Sequence, residues 1–302
     1  MPDKPIKHAL MRAALAIHRP FYERARFRIM RGWWPNLASP KTVNEYVLNC
    51  KLNDIYVAPQ LSGTFEGYQR AQALVPDLKV PRLVACVEEP AQMEAVWALP
   101  DGYYILKGSH GSGMIRRIDL PRDRDKKAKA EITAQVGRWL KNRFSLTCGE
   151  TCYDAAKPLI LVEELLGDGG SLSADIKIHC HNDRPHVVQF IDRHKGYLER
   201  FTWIVENDGS LTQTKLYNGE LDAAPKHIDA LLVRAMTHTR ELCQGLGYVR
   251  VDFLVDGDNY FFGEFTFIPA GGCMPLVDRD ADQRFFALIN RTQAEETAMI
   301  KA

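Results

Sequence analysis

The chain has 302 residues, 46% of them hydrophobic and 25% charged. That balance is globular, excludes a disordered or fibrous protein, and allows one large domain or two to three lobes around a cleft. The formal net charge of +1 makes no general case for nucleic acid as a partner. The charge is uneven, however. Residues 1–31 carry Lys4, Lys7, Arg12, Arg19, Arg24, Arg26, Arg28 and Arg31 against Asp3 and Glu23, a local +6 that leaves −5 for the remainder. Seven scattered cysteines with no CxxC pair read as reduced thiols, not as a disulfide framework or a zinc site. The longest apolar run near the start, residues 13–17, is shorter than a signal h-region or a membrane span. The expectation is a cytoplasmic protein.

In chain order, residues 7–31 form a helix with a break or kink at Pro20. Leu10, Ala13, Ala14 and Ile17 make its apolar stripe. It serves either as a helix packed on the body or as an interfacial anchor on anionic lipid. Short helices follow near 44–52, 66–74 and 90–97, the last behind a Pro start. Residues 103–107 are a strand that runs into a glycine-rich turn. Residues 128–143 are an amphipathic helix with Ile132, Val136, Trp139 and Leu140 on one face. The period then changes to two. Strands are expected at 159–164, 175–181, 186–192 and 201–206, with turn signals at 181–184 and 207–210. A helix at 225–244 precedes a final hairpin of 248–255 and 259–267. Antiparallel runs beside segregated helices give α+β lobes, with a ligand in the cleft between them.

Four segments carry chemistry. In the first, a strand delivers Lys107 and three glycines follow it, Gly108, Gly111 and Gly113. Glycines let backbone N–H groups approach phosphate oxygens, and the lysine adds a point charge. The spacing matches neither a P-loop nor GxGxxG, and a plain hairpin turn accounts for it equally well. His110 fits a loop-stabilising role. In the second, a buried strand ends in Glu163, Glu164 and Leu165 before the loop 167–170. It is either a hinge offering backbone groups to a base or a strand end with solvated acids. In the third, alternation puts Asp175, Lys177 and His179 on one face. An exposed polar sheet face explains that as well as a ligand site does.

The fourth segment is the most informative. Arg250 and Asp252 share a face of one strand, and Glu264 and Thr266 share a face of the next. A three-residue loop of Gly257, Asp258 and Asn259 would pair Asp256 with Tyr260, and so Asp252 with Glu264. Two carboxylates facing each other repel unless a cation sits between them. An oxygen-only pair suits Mg²⁺, which leaves its other positions to phosphates and water. Arg250 is placed to grip a phosphoryl oxygen bidentately.

Taken in order, ILKGSHGSG, LILVEELL, SADIKIHCHNDRP, VVQFIDRH and YVRVDFLVDGDNYFFGEFTFIPAGG resemble the ATP-grasp superfamily, and more closely its TupA-like group named after teichuronopeptide biosynthesis. The resemblance runs from about residue 40 to residue 285. It implies an ATP-grasp fold, two α+β lobes gripping a nucleotide in a central cleft. The chain would divide into a basic helical segment (1–38), an N-terminal lobe (39–98), a small lobe with the glycine loop (99–166) and a C-terminal lobe with the metal site (167–302). It further implies ATP and Mg²⁺. Lys107 and Lys177 would contact phosphates, with Gly111, Ser112 and Gly113 covering them. Glu163, Glu164 and Leu165 would border the adenine, and Arg250 would hold the γ-phosphate. Asp252 and Glu264 would bind Mg²⁺, with Thr266 where most of the superfamily carries Asn. In the N-terminal lobe Phe65-Glu66-Gly67-Tyr68-Gln69-Arg70 departs from the group's Asp-Lys-Tyr followed by Arg, in a region that would meet the acceptor.

The implied reaction is ligation of a small-molecule or glycan carboxylate to an amine acceptor through an acyl phosphate, with release of ADP and phosphate. The group's name puts it in cell-surface polysaccharide or amino-acid polymer synthesis. The alternatives are a kinase that stops at phosphoryl transfer and a non-catalytic nucleotide-binding protein. Residues 1–31 would add peripheral contact with the inner membrane face.

Overall fold

The computed structural model describes residues 5–167, 174–193, 198–225 and 228–291, with side chains from residue 18 onward. The loop at 168–170, the stripe of Leu10, Ala13, Ala14 and Ile17, and the basic Lys4, Lys7 and Arg12 therefore lie outside the described side chains.

Helix α1 (Pro5–Arg31) breaks at His18, whose backbone (φ −160°, ψ 81°) is extended. Pro20, two residues on, cannot donate to the preceding turn. The His18 Nδ1 accepts from the Phe21 N–H at 3.0 Å and so caps the second half. That half docks through Phe27, which is fully buried against Leu48 and Cys273. A buried Glu23–Lys51 pair at 2.7 Å ties it to α2 (Val43–Leu52). Thr42 caps α2 by accepting from the Glu45 N–H. α3 (Thr64–Leu74) follows.

Among the described residues, ten strands form two antiparallel sheets. The smaller has the order β1 (Leu83–Val87), β4 (Ile160–Glu164), β2 (Gly102–Gly108), β3 (Ile115–Leu120). Helices α4 (Met93–Trp97) and α5 (Lys126–Leu140) cover it. Val96, Trp97, Ile132 and Val136 close a separate core with Leu106, Ile118, Ile160 and Val162. α6 (Phe144–Cys148) leads back towards α1.

The larger sheet has the order β10 (Asn259–Thr266), β9 (Val249–Asp256), β5 (Ala174–His181), β6 (Arg184–Asp192), β7 (Glu199–Val205), β8 (Leu211–Thr214). Ile176, Ile178, Val251 and Phe253 share the main core with Leu231, Leu232, Ala235 and Met236 of α7 (Asp229–Leu242). α8 (Arg279–Ile289) adds Phe285, edge-on to His179 at 4.9 Å between ring centroids.

The anticipated strands and long helices are present. β1, β3, β8, α6 and α8 are additional. α3 joins the two sheets: its Tyr68 ring meets Phe262 of β10 edge-on at 6.1 Å, and its hydroxyl reaches Glu163 of β4.

Candidate active site

The β9–β10 hairpin reaches the expected pairing by a different route. Asp256 pairs with Asn259 across a two-residue turn, not with Tyr260 across three. Gly257 takes the positive φ (+57°) that this turn requires. The missing residue is recovered at a bulge: Phe262 pairs with Phe253, Gly263 is extra, and Glu264 faces Asp252. A Cβ on Gly263 would stand 3.0 Å from the Asp252 carbonyl oxygen, so glycine suits the bulge.

Asp252 sits in a central strand between two neighbours, and the register sets Lys177 opposite it on β5 and Glu264 opposite it on β10. Its buried carboxylate accepts from Lys177 Nζ at 2.6 Å and from Arg250 Nε and Nη2 at 2.6 Å each. Burial alone would raise this carboxyl, but Arg250, and after it Lys177, hold it down at about 2. For Arg250 the burial penalty is outweighed by Asp252, and its pKa moves up. The repulsion expected between Asp252 and Glu264 is therefore relieved on one side by two cations. Glu264 is treated differently. Its Oε1 accepts only from the Thr266 hydroxyl at 3.3 Å among the described residues, and Thr266 in turn accepts from Arg250 Nη2 at 3.2 Å.

From the smaller sheet, Lys107 Nζ reaches the Gly263 carbonyl at 3.5 Å, at the bulge between the two acids. It also lies 5.7 Å over the Tyr68 ring. The loop after it is pinned at its base. The Gly108 N–H donates to Met114 at 2.7 Å, Ser109 is buried with its Oγ accepting from the Phe65 N–H, and buried His110 pairs through Nε2 with the Trp139 carbonyl. Ser112 and Gly113 at the tip are exposed, and Gly113 needs φ +76°. Ser112 shares one cavity with Arg250, Glu264 and Thr266. Gly111 is packed tightly: a Cβ there would meet Met114 and Phe144 at 3.0 Å.

The acidic strand end splits. Glu163 is buried and accepts from the Tyr68 hydroxyl at 2.8 Å, whereas Glu164 faces outward and pairs with Arg82 at 2.9 Å. The Leu165 N–H donates to the Tyr103 carbonyl. The polar face of β5 is covered, not exposed. Asp175 is paired with Arg193, and His179 is fully buried between the Tyr248 and Tyr217 hydroxyls at 2.9 and 3.2 Å. Burial keeps His179 neutral by lowering its pKa.

The structure thus gathers Lys107, Lys177, Arg250, Asp252, Glu264 and Thr266, with Glu163 linked through Tyr68, and leaves Glu164 on the rim. It also adds residues that local sequence gave no means of finding. Tyr22 and Arg26 of α1 and Glu150 line the same cavity as Glu264. Only tertiary packing brings them there. Among the described residues no three or more His, Cys, Asp or Glu side chains converge as a metal cage. Two facing carboxylates beside cations fit Mg²⁺ that completes its shell with phosphate and water.

The solved structures similar to this chain include the ATP-grasp ligase PsnB complexed with a phosphomimetic variant of its minimal precursor, Mg and ADP (16% identity, 68% of this chain and 50% of that chain, TM-score 0.36). They also include D-alanine–D-alanine ligases from Bacillus anthracis (11% identity, 76% and 64%, TM-score 0.43) and Helicobacter pylori (12% identity, 77% and 60%, TM-score 0.43). The chain spans about half the length of the PsnB chain it matches. No curated protein matches it. The description TupA-like ATPgrasp fits residues 101–290, the stretch that holds every strand of the cleft but β1, and the chain belongs to the TupA-like ATP-grasp family.

Proposed function

We propose that the protein is an ATP- and Mg²⁺-dependent ligase that joins a carboxylate to an amine, forming an amide with release of ADP and phosphate. The observation that carries this is the convergence of three cations from three strands, Lys107, Lys177 and Arg250, on the Asp252–Glu264 pair. Such a site neutralises and positions a triphosphate, and phosphoryl transfer needs little else from a protein. Bound Mg²⁺ would rest on Asp252 and Glu264 and offset charge on the transferring phosphoryl group.

The chain's own residues do the remainder. Lys177 and Arg250, which clasp Asp252, would hold phosphate oxygens beside the metal that Asp252 and Glu264 would bind. Lys107 holds phosphate from the opposite sheet, and Ser112 and Gly113 close the cleft against water. The substrate carboxylate attacks the γ-phosphorus and ADP leaves. The amine then bonds the acyl carbon as the C–O bond to phosphate breaks, and the proton the nitrogen loses leaves with the phosphate. We assign the carboxylate to a small molecule or glycan of cell-surface polymers, and the protein to the cytoplasm. The test mixes enzyme, ATP and Mg²⁺ with a panel of carboxylic acids, with and without a panel of free amines. Amide formed with ADP only in the complete mixture supports a ligase. A phosphorylated acid that accumulates whether or not amine is present makes the protein a kinase.

A second reading concerns α1. Among the described residues no helix is long and apolar enough to cross a membrane. The outward face of its docked half nevertheless exposes Phe21, Ile29 and Met30 beside Arg24 and Arg28. That combination suits contact with an anionic membrane surface.

A further inference from the structure

A cavity of about 220 Å³ opens at one end of the larger sheet, where the β5–β6 turn, the β7–β8 turn, the last turn of α7 and the chain just past α8 meet. A single water needs only ~10–15 Å³ of such space, so the cavity has room for a tetrahedral oxyanion. His181, at the end of β5, lies four residues past Lys177, or ~13 Å along the strand. The loop after β4 meets the opposite end of this sheet, where the Gly167 N–H donates to Asp256 at 3.2 Å. The cavity thus stands apart from both the Asp252–Glu264 pair and the hinge.

Its lining is basic. Arg184 opens β6, Arg240 lies in the last turn of α7 and Arg291 follows α8, with Asp183 and Glu206 as the acids among them. Neither acid satisfies Arg240 or Arg291. Asp183 Oδ1 accepts from the Gly245 N–H at 2.6 Å, and Glu206 Oε2 is 3.9 Å from Arg291 Nη1, beyond hydrogen-bond reach. Among the described residues neither guanidinium donates a hydrogen bond. His186 completes the wall and is only 5% exposed. Its Nε2 lies 3.1 Å from the His181 carbonyl, which can only accept, so Nε2 carries the ring proton. Burial, reinforced by Arg184 and Arg291, lowers the His186 pKa to about 4. The ring is therefore neutral near pH 6, and Nδ1 is a bare acceptor with no partner among the described residues. A buried acceptor beside guanidinium donors is met by a ligand that presents both charged oxygens and an O–H.

We propose that this cavity binds a phosphate group that retains one proton, its charged oxygens on Arg240 and Arg291 and its P–O–H on His186 Nδ1. Guanidinium forks match phosphate oxygens. A carboxylate would serve the arginines but leave Nδ1 without a donor, and sulfate, which carries no proton near neutral pH, would do the same. Inorganic phosphate and a phosphomonoester both present the required chemistry. The inference is independent of the ligase reading, because none of its residues belongs to the nucleotide cleft.

The experiment is calorimetry on the full chain near pH 6, where a phosphomonoester, with a second pKa of about 6, is half protonated. Mg²⁺ and the non-hydrolysable AMPPNP are added to saturation first, to occupy the nucleotide cleft. Inorganic phosphate, glycerol phosphate and sulfate are then titrated separately. At least one of the two phosphates should bind, about tenfold or more tightly than sulfate, and the tighter of the two identifies the source. Arg240→Ala, at an exposed position, should weaken that phosphate by about tenfold. His186→Gln keeps a donor for the His181 carbonyl but removes the Nδ1 acceptor, and should bind phosphate and sulfate alike. The proposal is overturned if neither phosphate binds, if sulfate binds the parent as tightly, if Arg240→Ala binds phosphate unchanged, or if His186→Gln still prefers phosphate. Failure of AMPPNP to bind would defeat the ligase reading alone, since Arg240→Ala locates the phosphate with or without nucleotide.

Discussion

Two carboxylates of one hairpin pair differ in how the protein compensates them. Asp252, on β9, is buried under three hydrogen bonds from Lys177 and Arg250. Glu264, opposite it on β10, has only a hydroxyl at 3.3 Å, and Glu150 across the cavity has no partner among the described residues. The clasped acid contributes to the stability of the apo fold as well as to the site. The unclasped acids contribute little or are destabilising until ligand arrives. Charge-removing substitutions should therefore separate stability from function on one side of the pocket and not on the other.

The largest expected effect is on turnover by Glu264→Gln. Losing a group that offsets transition-state charge costs about 10²–10³ in rate, so amide and ADP should fall by that factor while the melting temperature stays close to the parent's. A variant that turns over normally would remove Glu264 from the phosphoryl site.

Asp252→Asn should lose activity too, and also lose stability. It leaves Lys177 and Arg250 facing a neutral amide, and uncoupling a buried ion pair costs about 3–5 kcal/mol. Their side chains are 20% and 16% exposed, so the lower end is expected. The sign with pH follows from a carboxyl held at about 2. The stabilisation is complete above the ordinary carboxylate range and disappears as pH falls through 2. Urea denaturation at pH 7 and near pH 2 should show the gap between parent and variant closing in acid. A constant gap would contradict the clasp.

Glu150→Gln should do the opposite. Burial pushes the Glu150 carboxyl up to about 7, against the pull of Lys51 and Arg26. The folded state then holds a proton that the unfolded state has lost, so the parent loses stability as pH rises from about 4.5 to 7. The variant removes that loss. It should be more stable than the parent by roughly 3 kcal/mol at pH 8, at about 1.4 kcal/mol per pH unit, and nearly equal to it at pH 4. Denaturation midpoints at the two pH values check this, and a variant less stable at pH 8 would show an unseen partner.

Lys107→Ala should weaken AMPPNP by roughly 1.5–3 kcal/mol, the range for a charge-assisted hydrogen bond, as read by calorimetry. Smallest is the membrane term. Arg24→Glu or Arg28→Glu should reduce co-sedimentation with anionic vesicles by about 1 kcal/mol per basic residue removed. Equal partitioning to neutral and anionic vesicles would remove the lipid reading.

Much of this comparison was legible in the sequence. Alternation along 249–267 placed Asp252 and Glu264 together because both belong to consecutive strands. The turn was read one residue too long, and the bulge at Gly263 restored the register. The Lys177 clasp was not legible, because β5 pairs with β9 across some seventy residues and a non-consecutive sheet order. Period-two reading gives the face of a strand but not its neighbour. The same limit hid the covering of Asp175 and His179 by distant arginine and tyrosine side chains. It also hid Arg26 and Glu150. The basic count of residues 1–31 pointed outward to lipid, whereas Arg19, Arg26 and Arg31 each donate to carbonyls of the body.

The most direct test of the division between clasped and unclasped acids is the Mg²⁺ dependence of AMPPNP binding in the parent and in Glu264→Gln, measured by calorimetry beside the melting temperature of each. The account predicts that Mg²⁺ tightens binding by the parent at least tenfold, and that Glu264→Gln loses that gain while melting with the parent. A Glu264→Gln protein that keeps the full Mg²⁺ gain, or that melts far below the parent without ligand, would contradict it.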